Sequence, residues 1–413
     1  MKDQQVGHYK ILKKLGAGGM GEVCSRVWNA MEQMLSQVLC SFTIQALPCL
    51  LLFSACSPDV TGYLKGTGWI CEEVASGPEV GNHASIITTT DGTVHIAYHD
   101  TRYYGLYHAR SNAEGGFIHT QIDTPGWIGS NLRLTAGQGD TLHLVYQDHK
   151  IQSIRYGIFS GDTWSLEYVG QNIRGDSADI LVQDDLIQLV VLDQDRKDIT
   201  YWWQQSGIWS QGGWMLAYDI PRSSPSLINT DGNLHVAVSS LRKPPGGGPY
   251  GGKVQGFKVM LNNSIDGGIQ WQRTTIEERS LQHGDETYNQ SPRSVALITD
   301  SASNPHCVYY QPGGDLQDHI SGIIDQGVTN SHIACFQNTA GDAWIMYQQQ
   351  DNLVLARFLP GEGWSIVSQL RAVYPDRDNG RWDLHVDSLD VVHVVVYNTR
   401  SSSLWYARWS AIP

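Results

Sequence analysis

Positive charge is scarce in this chain. Its 413 residues carry 28 lysines and arginines against 41 aspartates and glutamates, a formal net charge of −13. That deficit disfavours a general binder of phosphate backbones, so no nucleic-acid partner is expected. Cysteine is scarce too: the seven residues show neither the paired spacing of a metal site nor the density of a disulfide scaffold. The sequence calls for no metal and no cofactor. The apolar run that ends at Cys56 is too short for a comfortable membrane span. No motif supports a chymotrypsin-type triad or a zinc centre.

What is present is repetition. Asp91-Gly92-Thr93-Val94-His95-Ile96-Ala97-Tyr98 pairs a turn dipeptide with an alternating run of β-formers. The pattern returns around His143, Gln188, His235, His306, Trp344 and His393, in steps of 48, 45, 47, 71, 38 and 49 residues. An all-β repeat of roughly 45–50 residues is the signature of propeller blades. Each unit reads as four strands, a to d, with the marker run as strand b. Strand d is expected to open on an aromatic: Phe117, Trp164, Trp214, Trp271 and Trp364. In the fifth unit, strand c is expected from His319 to Ile323.

The seventh unit lacks a strand d before the chain ends at Pro413, and a spare one stands in front. Gly68-Trp69-Ile70-Cys71-Glu72-Glu73-Val74 reads like Gly363-Trp364-Ser365-Ile366-Val367. The expected fold is therefore an all-β, seven-bladed β-propeller of four-stranded antiparallel blades over residues 68–413, closed by the N-terminal strand at 68–74. The short step trims the fifth blade, most simply in strand d. The long step places insertions in the fourth, at Leu241 to Gly252 and at Glu277 to Gln290.

Three stretches resemble known families. Ser264-Ile265-Asp266-Gly267-Gly268-Ile269-Gln270-Trp271 resembles the Asp-box of the sialidase-like (BNR-type) propellers, S-x-D-x-G-x-T-W, with Gln270 in place of Thr; Ser111 to Phe117 is a degenerate relative. The resemblance implies a structural turn in which Ser264 and Asp266 cap backbone groups, Gly268 takes positive φ and Trp271 anchors the loop. Sialidase chemistry also uses three arginines, a Tyr–Glu nucleophile pair, an acid Asp and an Arg-Ile-Pro motif, and that motif is missing here. Ahead of the propeller, residues 9–23 resemble the first strand and Gly-rich loop of a bacterial serine/threonine kinase, with Gly16, Gly18 and Gly21 in the G-x-G-x-x-G positions. The strand lysine, catalytic-loop Asp and metal-binding Asp-Phe-Gly are absent downstream, so residues 1–24 are expected to be a non-functional fragment and the chain no kinase. Residues 34–56 resemble a bacterial lipoprotein signal, Leu50-Leu51-Leu52-Phe53-Ser54-Ala55 leading to Cys56. The resemblance implies lipidation at Cys56, a membrane attachment through that lipid, and an extracytoplasmic (periplasmic or cell-surface) location, with 57–67 as linker.

The recurring histidines do not converge on an ion. One per blade around a ring, each faces its own neighbour, and hydrogen bonds between strands or blades are the expected use. What breaks the repeat is the better guide to function. The b–c and d–a connections share one face of a propeller, and both insertions of blade 4 land there. That face would gather Arg102, Tyr103, Tyr104, Arg196, Arg242, Tyr250, Arg377, Arg381, Trp382 and Arg400. Arginine forks hold carboxylates or sulfates and aromatic faces stack on sugars, so a glycan or protein ligand is expected there. The competing reading is a glycan-active hydrolase or lyase on the same face. Asp285, Glu286 and Asp376 would then supply carboxylates, and His283 or Tyr288 a base.

Overall fold

The computed structural model describes residues 5–6, 9–10 and 64–410, apart from 78–79, 102–104, 125–127, 170–174, 194–195, 217–219, 222, 243–255, 281–293, 312, 330–331, 373–381 and 399–400. Residues 1–58 and 59–413 form two units. In the first, Gln5–Val6 pairs antiparallel with Tyr9–Lys10; the rest of the kinase-like stretch and the signal-like stretch with Cys56 lie outside the described residues.

The second unit is a ring of seven antiparallel sheets, each built on four strands, with Ile220–Pro221 added to blade 4 and Leu64–Lys65 to blade 6. Blade 1 runs Val80–Thr88, Val94–Asp100, Gly105–Ser111 and Phe117–Asp123. Blade 7 takes Trp382–Val386, Val392–Asn398 and Ser403–Trp409 from the C-terminal end and Trp69–Ser76 from the front, Trp69 pairing with Trp409 and Ser76 with Ser403. The spare strand thus completes the last blade, as its sequence predicts. Among the described residues there is no α-helix; Gln138–Asp140 forms a single 3-10 turn.

No single core exists. Apolar side chains collect in the interfaces between successive blades. Leu132, Leu134, Leu142 and Leu144 meet Ile87 and Ala97 between blades 1 and 2, and Val80, Ile86 and Ile96 meet Val395, Leu404 and Tyr406 across the closing seam. This explains the strand patterns. Strand b is packed on both faces by neighbours, so Val94–Asp100, Leu142–Asp148 and Val392–Asn398 are buried at every residue. Strand d is the outer edge, and Phe117–Asp123 is exposed through its middle.

Four details differ from the sequence reading. In blade 3 strand d is Ile208–Leu216, so its early aromatic is Trp209; Trp214 sits late in the strand, 68% exposed. In blade 5 strand c is Asp315–Asp318 and strand d Gly322–Asp325, so 319–321 form the turn and both strands are trimmed, not only d. In blade 4 strand d is Gln272–Ser280, which takes Glu277 to Ser280 out of the insertion. Finally, Leu64–Lys65, expected as linker, pairs with the outer edge of blade 6 as a fifth strand.

Candidate functional site

The marker position of each blade has a fixed local task. His95 Nδ1 lies 2.9 Å from His108 Nε2, His143 Nδ1 2.6 Å from Tyr156 Oη, and His393 Nδ1 2.7 Å from Tyr406 Oη. His235 meets Asn263 Oδ1 at 2.7 Å and His306 meets Asp318 Oδ2 at 2.8 Å. Where the marker is Gln188, its amide donates to Tyr201 Oη at 2.8 Å; where it is Trp344, the Arg357 guanidinium stacks on the indole at 4.7 Å. In all seven blades, therefore, strand b is tied to strand c at the same level. The second ring nitrogen reaches the a–b turn in His235 (Thr230 Oγ1, 2.6 Å) and His393 (Asp387 Oδ2, 3.2 Å). Burial holds His95, His143 and His385 down at about 4. These rings are architecture. Among the described residues no three His, Cys, Asp or Glu side chains gather around a point that could hold a metal ion.

Strand a carries a second ring. The a strands touch one another in sequence around the molecule. Counting back two residues from the marker's cross-strand partner gives Ser85, Arg133, Asp179, Ser226, Ala296, Ala334 and Asp383. The polar members bind the next blade. Asp383 Oδ2 accepts from Ser85 Oγ (2.6 Å) and Ile86 N (3.3 Å) across the closing seam, and Ser85 Oγ accepts from Leu134 N at 3.1 Å. Asp179 Oδ2 accepts from Leu227 N at 2.8 Å, and Ser226 Oγ from Leu297 N at 3.2 Å. Arg133 donates to Asp179 at 3.4 Å and reaches past blade 1 to Asp383 at 3.1 Å. Desolvation works against the Arg133 charge, but Asp383 and Asp179 outweigh it and raise its pKa.

Tyrosine–aspartate pairs occur as staples between blades. Tyr146 Oη donates to Asp123 Oδ2 at 2.6 Å, and Tyr347 Oη to Asp325 Oδ2 at 2.7 Å, each joining strand b to strand d of the preceding blade. Both phenols are fully buried, and burial, reinforced by the carboxylate, pushes their pKa values up. A buried phenol with a raised pKa is a poor nucleophile.

The stretch Ser264 to Trp271 forms the turn its residues predict. Asp266 Oδ1 accepts from Ser264 Oγ (2.6 Å) and from the backbone N of Ile269 (3.2 Å) and Gln270 (2.9 Å); Ser264 Oγ accepts from Gly268 N at 3.0 Å. Trp271 Nε1 donates to Gly268 O at 3.1 Å. Gly268 has φ +90° and sits against Tyr201 of blade 3 so closely that a Cβ would fall 2.3 Å from its ring. The turn lies on the a–b/c–d side.

The two faces differ in chemistry. None of the a–b or c–d connections contains a lysine or arginine, whereas Asp91, Asp140, Asp162, Asp184, Asp185, Asp231, Asp300, Asp342, Asp387 and Asp390 all stand there. The acids serve the turns: Asp91 Oδ1 accepts from Thr93 N, Asp300 Oδ1 from Ala302 N and Asn304 N, and Asp387 Oδ1 from Leu389 N and Val391 N. Among the described residues, the lysines and arginines that fall in connections are Lys150, Arg196 and Lys197, all in b–c turns. The long stretches 243–255, 281–293 and 373–381, which link strand b to c or strand d to a, lie outside the described residues.

Of the residues expected to bind ligand, Arg196 is exposed on its b–c turn, its Nε 3.5 Å from Asp193 Oδ2. Trp382 is buried between blades 6 and 7, edge-on to His332, and donates Nε1 to Met346 O at 3.0 Å, so its ring is engaged in packing. Arg242 ends strand b of blade 4, its backbone paired with Gly256. Arg102, Tyr103, Tyr104, Tyr250, Arg377, Arg381 and Arg400, and the catalytic candidates His283, Asp285, Glu286, Tyr288 and Asp376, lie outside the described residues. Sequence reasoning missed Arg133, Asp179 and Asp383. The signal was available: each is a charged residue in strand a, nine or ten positions before the repeat marker.

No protein-family model matches the chain, and no curated protein matches its sequence. Solved structures do match in fold. The WD40 domain of Toxoplasma gondii coronin superposes with a TM-score of 0.52 at 10% identity, covering 84% of this chain and 88% of its own. The polysaccharide lyase Uly1 follows at 0.46 and 10% identity (82% and 91% covered), and a gluconolactonase from Xanthomonas campestris at 0.40 and 10% (83% and 90%). At such identities the coronin domain speaks for the propeller fold alone, and the other two carry no argument about activity.

Proposed function

We propose that this chain is a propeller that binds, and does not turn over, an anionic glycan on its b–c/d–a face, held outside the cytoplasm by a lipid on Cys56. The observation that supports this reading is the segregation of charge. In a chain of net charge −13, the cationic side chains of the described connections, Lys150, Arg196 and Lys197, fall on one side, and aspartates line the a–b and c–d turns of the other. Such a polarity steers an anion to one face and repels it from the opposite one. Arginine supplies bidentate hydrogen bonds to carboxylate or sulfate, and the rigid stapled blades hold the loops that carry it. The geometry of the Ser264–Trp271 turn supports a sialidase-like scaffold, in a sequence without the Arg-Ile-Pro motif.

A glycan array with uronate-bearing, sulfated and neutral members tests the reading. Binding is expected to the acidic members, to weaken with added salt, and to fall in Arg102→Ala and Arg400→Ala. Preference for neutral glycans, or a protein ligand insensitive to salt, would overturn it. Turnover of an acidic polysaccharide that is lost in His283→Ala or Asp285→Ala would move the chain to the catalytic reading.

A further inference from the structure

One position on the outer strand can be compared blade by blade. It lies on strand d, opposite the residue two places into strand c. In blades 1, 4, 5, 6 and 7 it holds Gln121, Glu278, Ile323, Gln369 and Glu73. In blades 2 and 3 it holds an aromatic: Tyr168 opposite Arg155 and Trp214 opposite Thr200. Both rings meet solvent, Tyr168 with 42% and Trp214 with 68% of its surface exposed. The aromatics near the start of the d strands do otherwise and pack on a neighbour: Phe117 on Tyr406, Trp164 on His108 and Trp209 on Tyr156.

The two exposed rings sit alike. Residues opposite each other across a ladder share one face of the sheet. Arg155 pairs with Asp123 of blade 1. Trp202 donates Nε1 to Thr200 Oγ1 at 3.0 Å and packs among Ile154, Tyr156 and Val169 of blade 2. Tyr168 and Trp214 therefore both stand on the face turned to the preceding blade, at the outer edge of the ring. Tyr168 is fixed there by Arg155, stacked 4.8 Å from the ring centre, and by a hydrogen bond from its hydroxyl to Asp148 at 3.1 Å. Each aromatic stands two residues, about 7 Å, from the end of strand c that the b–c turn joins. Those same two turns carry Lys150, Arg196 and Lys197, all exposed. The exposed aromatics of this position and the cations of the described connections thus fall in the same two neighbouring blades.

We propose that Tyr168 and Trp214 are sugar-stacking platforms. With Lys150 on one blade and with Arg196 and Lys197 on the next, they form two like subsites that a single acidic polysaccharide chain spans. The inference rests on the assignment of an anionic glycan to the b–c/d–a face, and it narrows that ligand to a linear polymer lying along the outer edge of the face, rather than a single terminal sugar. One side of a pyranose ring presents C–H groups to the flat apolar face of an indole or phenol. Its carboxylate or sulfate then turns to the cations of the b–c turn. Two linked subsites make affinity depend on chain length, because a fragment that reaches both gains effective concentration.

The test titrates the full chain with oligogalacturonates of two to twelve units and, as the sulfated counterpart, with dextran sulfate fractions. Affinity for one of these series is expected to rise by about a hundredfold between fragments that fill one subsite and fragments that reach both. Trp214→Ala and Tyr168→Leu should each abolish that rise, whereas Tyr168→Phe keeps the ring and should retain it. Ile208→Ala removes a side chain as exposed as Trp214 from the other end of the same strand, and should bind as the unaltered chain does. A rise with length that survives both Trp214→Ala and Tyr168→Leu overturns the subsites, and so does an affinity independent of length. If Lys197→Glu still weakens binding in either case, the anionic-glycan reading stands without them. If neither series is bound, that reading fails and the subsites fall with it.

Discussion

The a–b/c–d face and the b–c/d–a face are made by the same seven blades, yet they obey different rules. On the first, turns are short and repeat one grammar: an acidic or amide side chain caps backbone N–H groups two to four residues on, as Asp300, Asn338 and Asp387 do. Positive φ recurs at Asp140, Asp184, Asp231 and Asp390, where Asp is among the residues that tolerate it. On the second face the connections vary in length, and the connecting lysine and arginine residues that are described, Lys150, Arg196 and Lys197, stand there. A feature that recurs in every blade serves the ring; a feature found in one or two blades is free to serve a ligand. Between the faces, the axial ring and the histidine ties make a scaffold stiff enough for that division.

The sharpest way to break the comparison is at the axis. Asp383 accepts from Ser85 and Ile86 and pairs with Arg133, so Asp383→Ala strips three partners at the seam where the ring closes. Asp383 is buried but the Arg133 side chain keeps 39% of its surface exposed, so the loss is that of two buried hydrogen bonds and a partly screened ion pair, about 2–3 kcal/mol. Urea unfolding should show a loss of that size, against almost none for Glu362→Ala in the exposed c–d turn of blade 6. Equal losses would mean that the axial ring is not what holds the blades.

Acid should act next most strongly. Burial keeps His95 and His143 at about 4 in the folded chain, below the ordinary 6.5. A depressed histidine favours the folded state while it is neutral, and that advantage is lost as pH falls from 6.5 toward 4. At pH 5 each ring should have given up about 2 kcal/mol. His306 works in the opposite sense: desolvation lowers its pKa, but the hydrogen bond to Asp318 and the charges of Asp318 and Asp300 raise it overall. Its contribution is full at acid pH and fades as pH rises through its raised value. Urea midpoints at pH 7 and pH 5 measure the sum, and His143→Gln should flatten the dependence. A midpoint independent of pH would show that the rings are not held neutral.

A smaller effect is expected at the Asp-box. Ser264→Ala removes the acceptor for Gly268 N in a buried turn and should cost about 1 kcal/mol. Ligand binding should be untouched, because this turn lies on the far side from the basic loops. Loss of binding with unchanged stability would place the ligand on the wrong face of the present scheme.

Much of this was readable in the chain. The marker run, its spacing and the duplicate of Gly363-Trp364 at Gly68-Trp69 sufficed for seven blades and their closure, because local patterns of period two and turn dipeptides carry that information. The partner of each marker histidine was less visible, although His95–His108, His143–Tyr156 and His393–Tyr406 share one spacing. Trp214 misled because two tryptophans share one strand, and packing rather than propensity decides which opens it. The Arg133–Asp383 contact joins residues from opposite ends of the propeller sequence, and only closure of the ring brings them together. The ligand loops are the least legible, since exposed arginines, prolines and glycines fit a turn and a binding site equally well.

The smallest effect is the one that isolates the basic face. Lys197 is exposed on the b–c turn of blade 3, and Asp231 on the a–b turn of blade 4. Lys197→Glu should move stability by no more than about 0.5 kcal/mol, and Asp231→Lys, which puts lysine at φ 52°, by about 1 kcal/mol. Their effects on association should nevertheless differ. Lys197→Glu places a like charge in the path of an anionic glycan and should slow association roughly two- to fivefold at low salt, with the difference shrinking as salt screens it. Asp231→Lys adds a cation on the opposite side and should leave the rate almost unchanged, because the body of the propeller separates it from the approach path by more than a Debye length of about 8 Å. If instead both substitutions shift the rate in proportion to net charge alone, the anion responds to the molecule's overall charge of −13 and not to its faces, and the division drawn between them has no functional meaning.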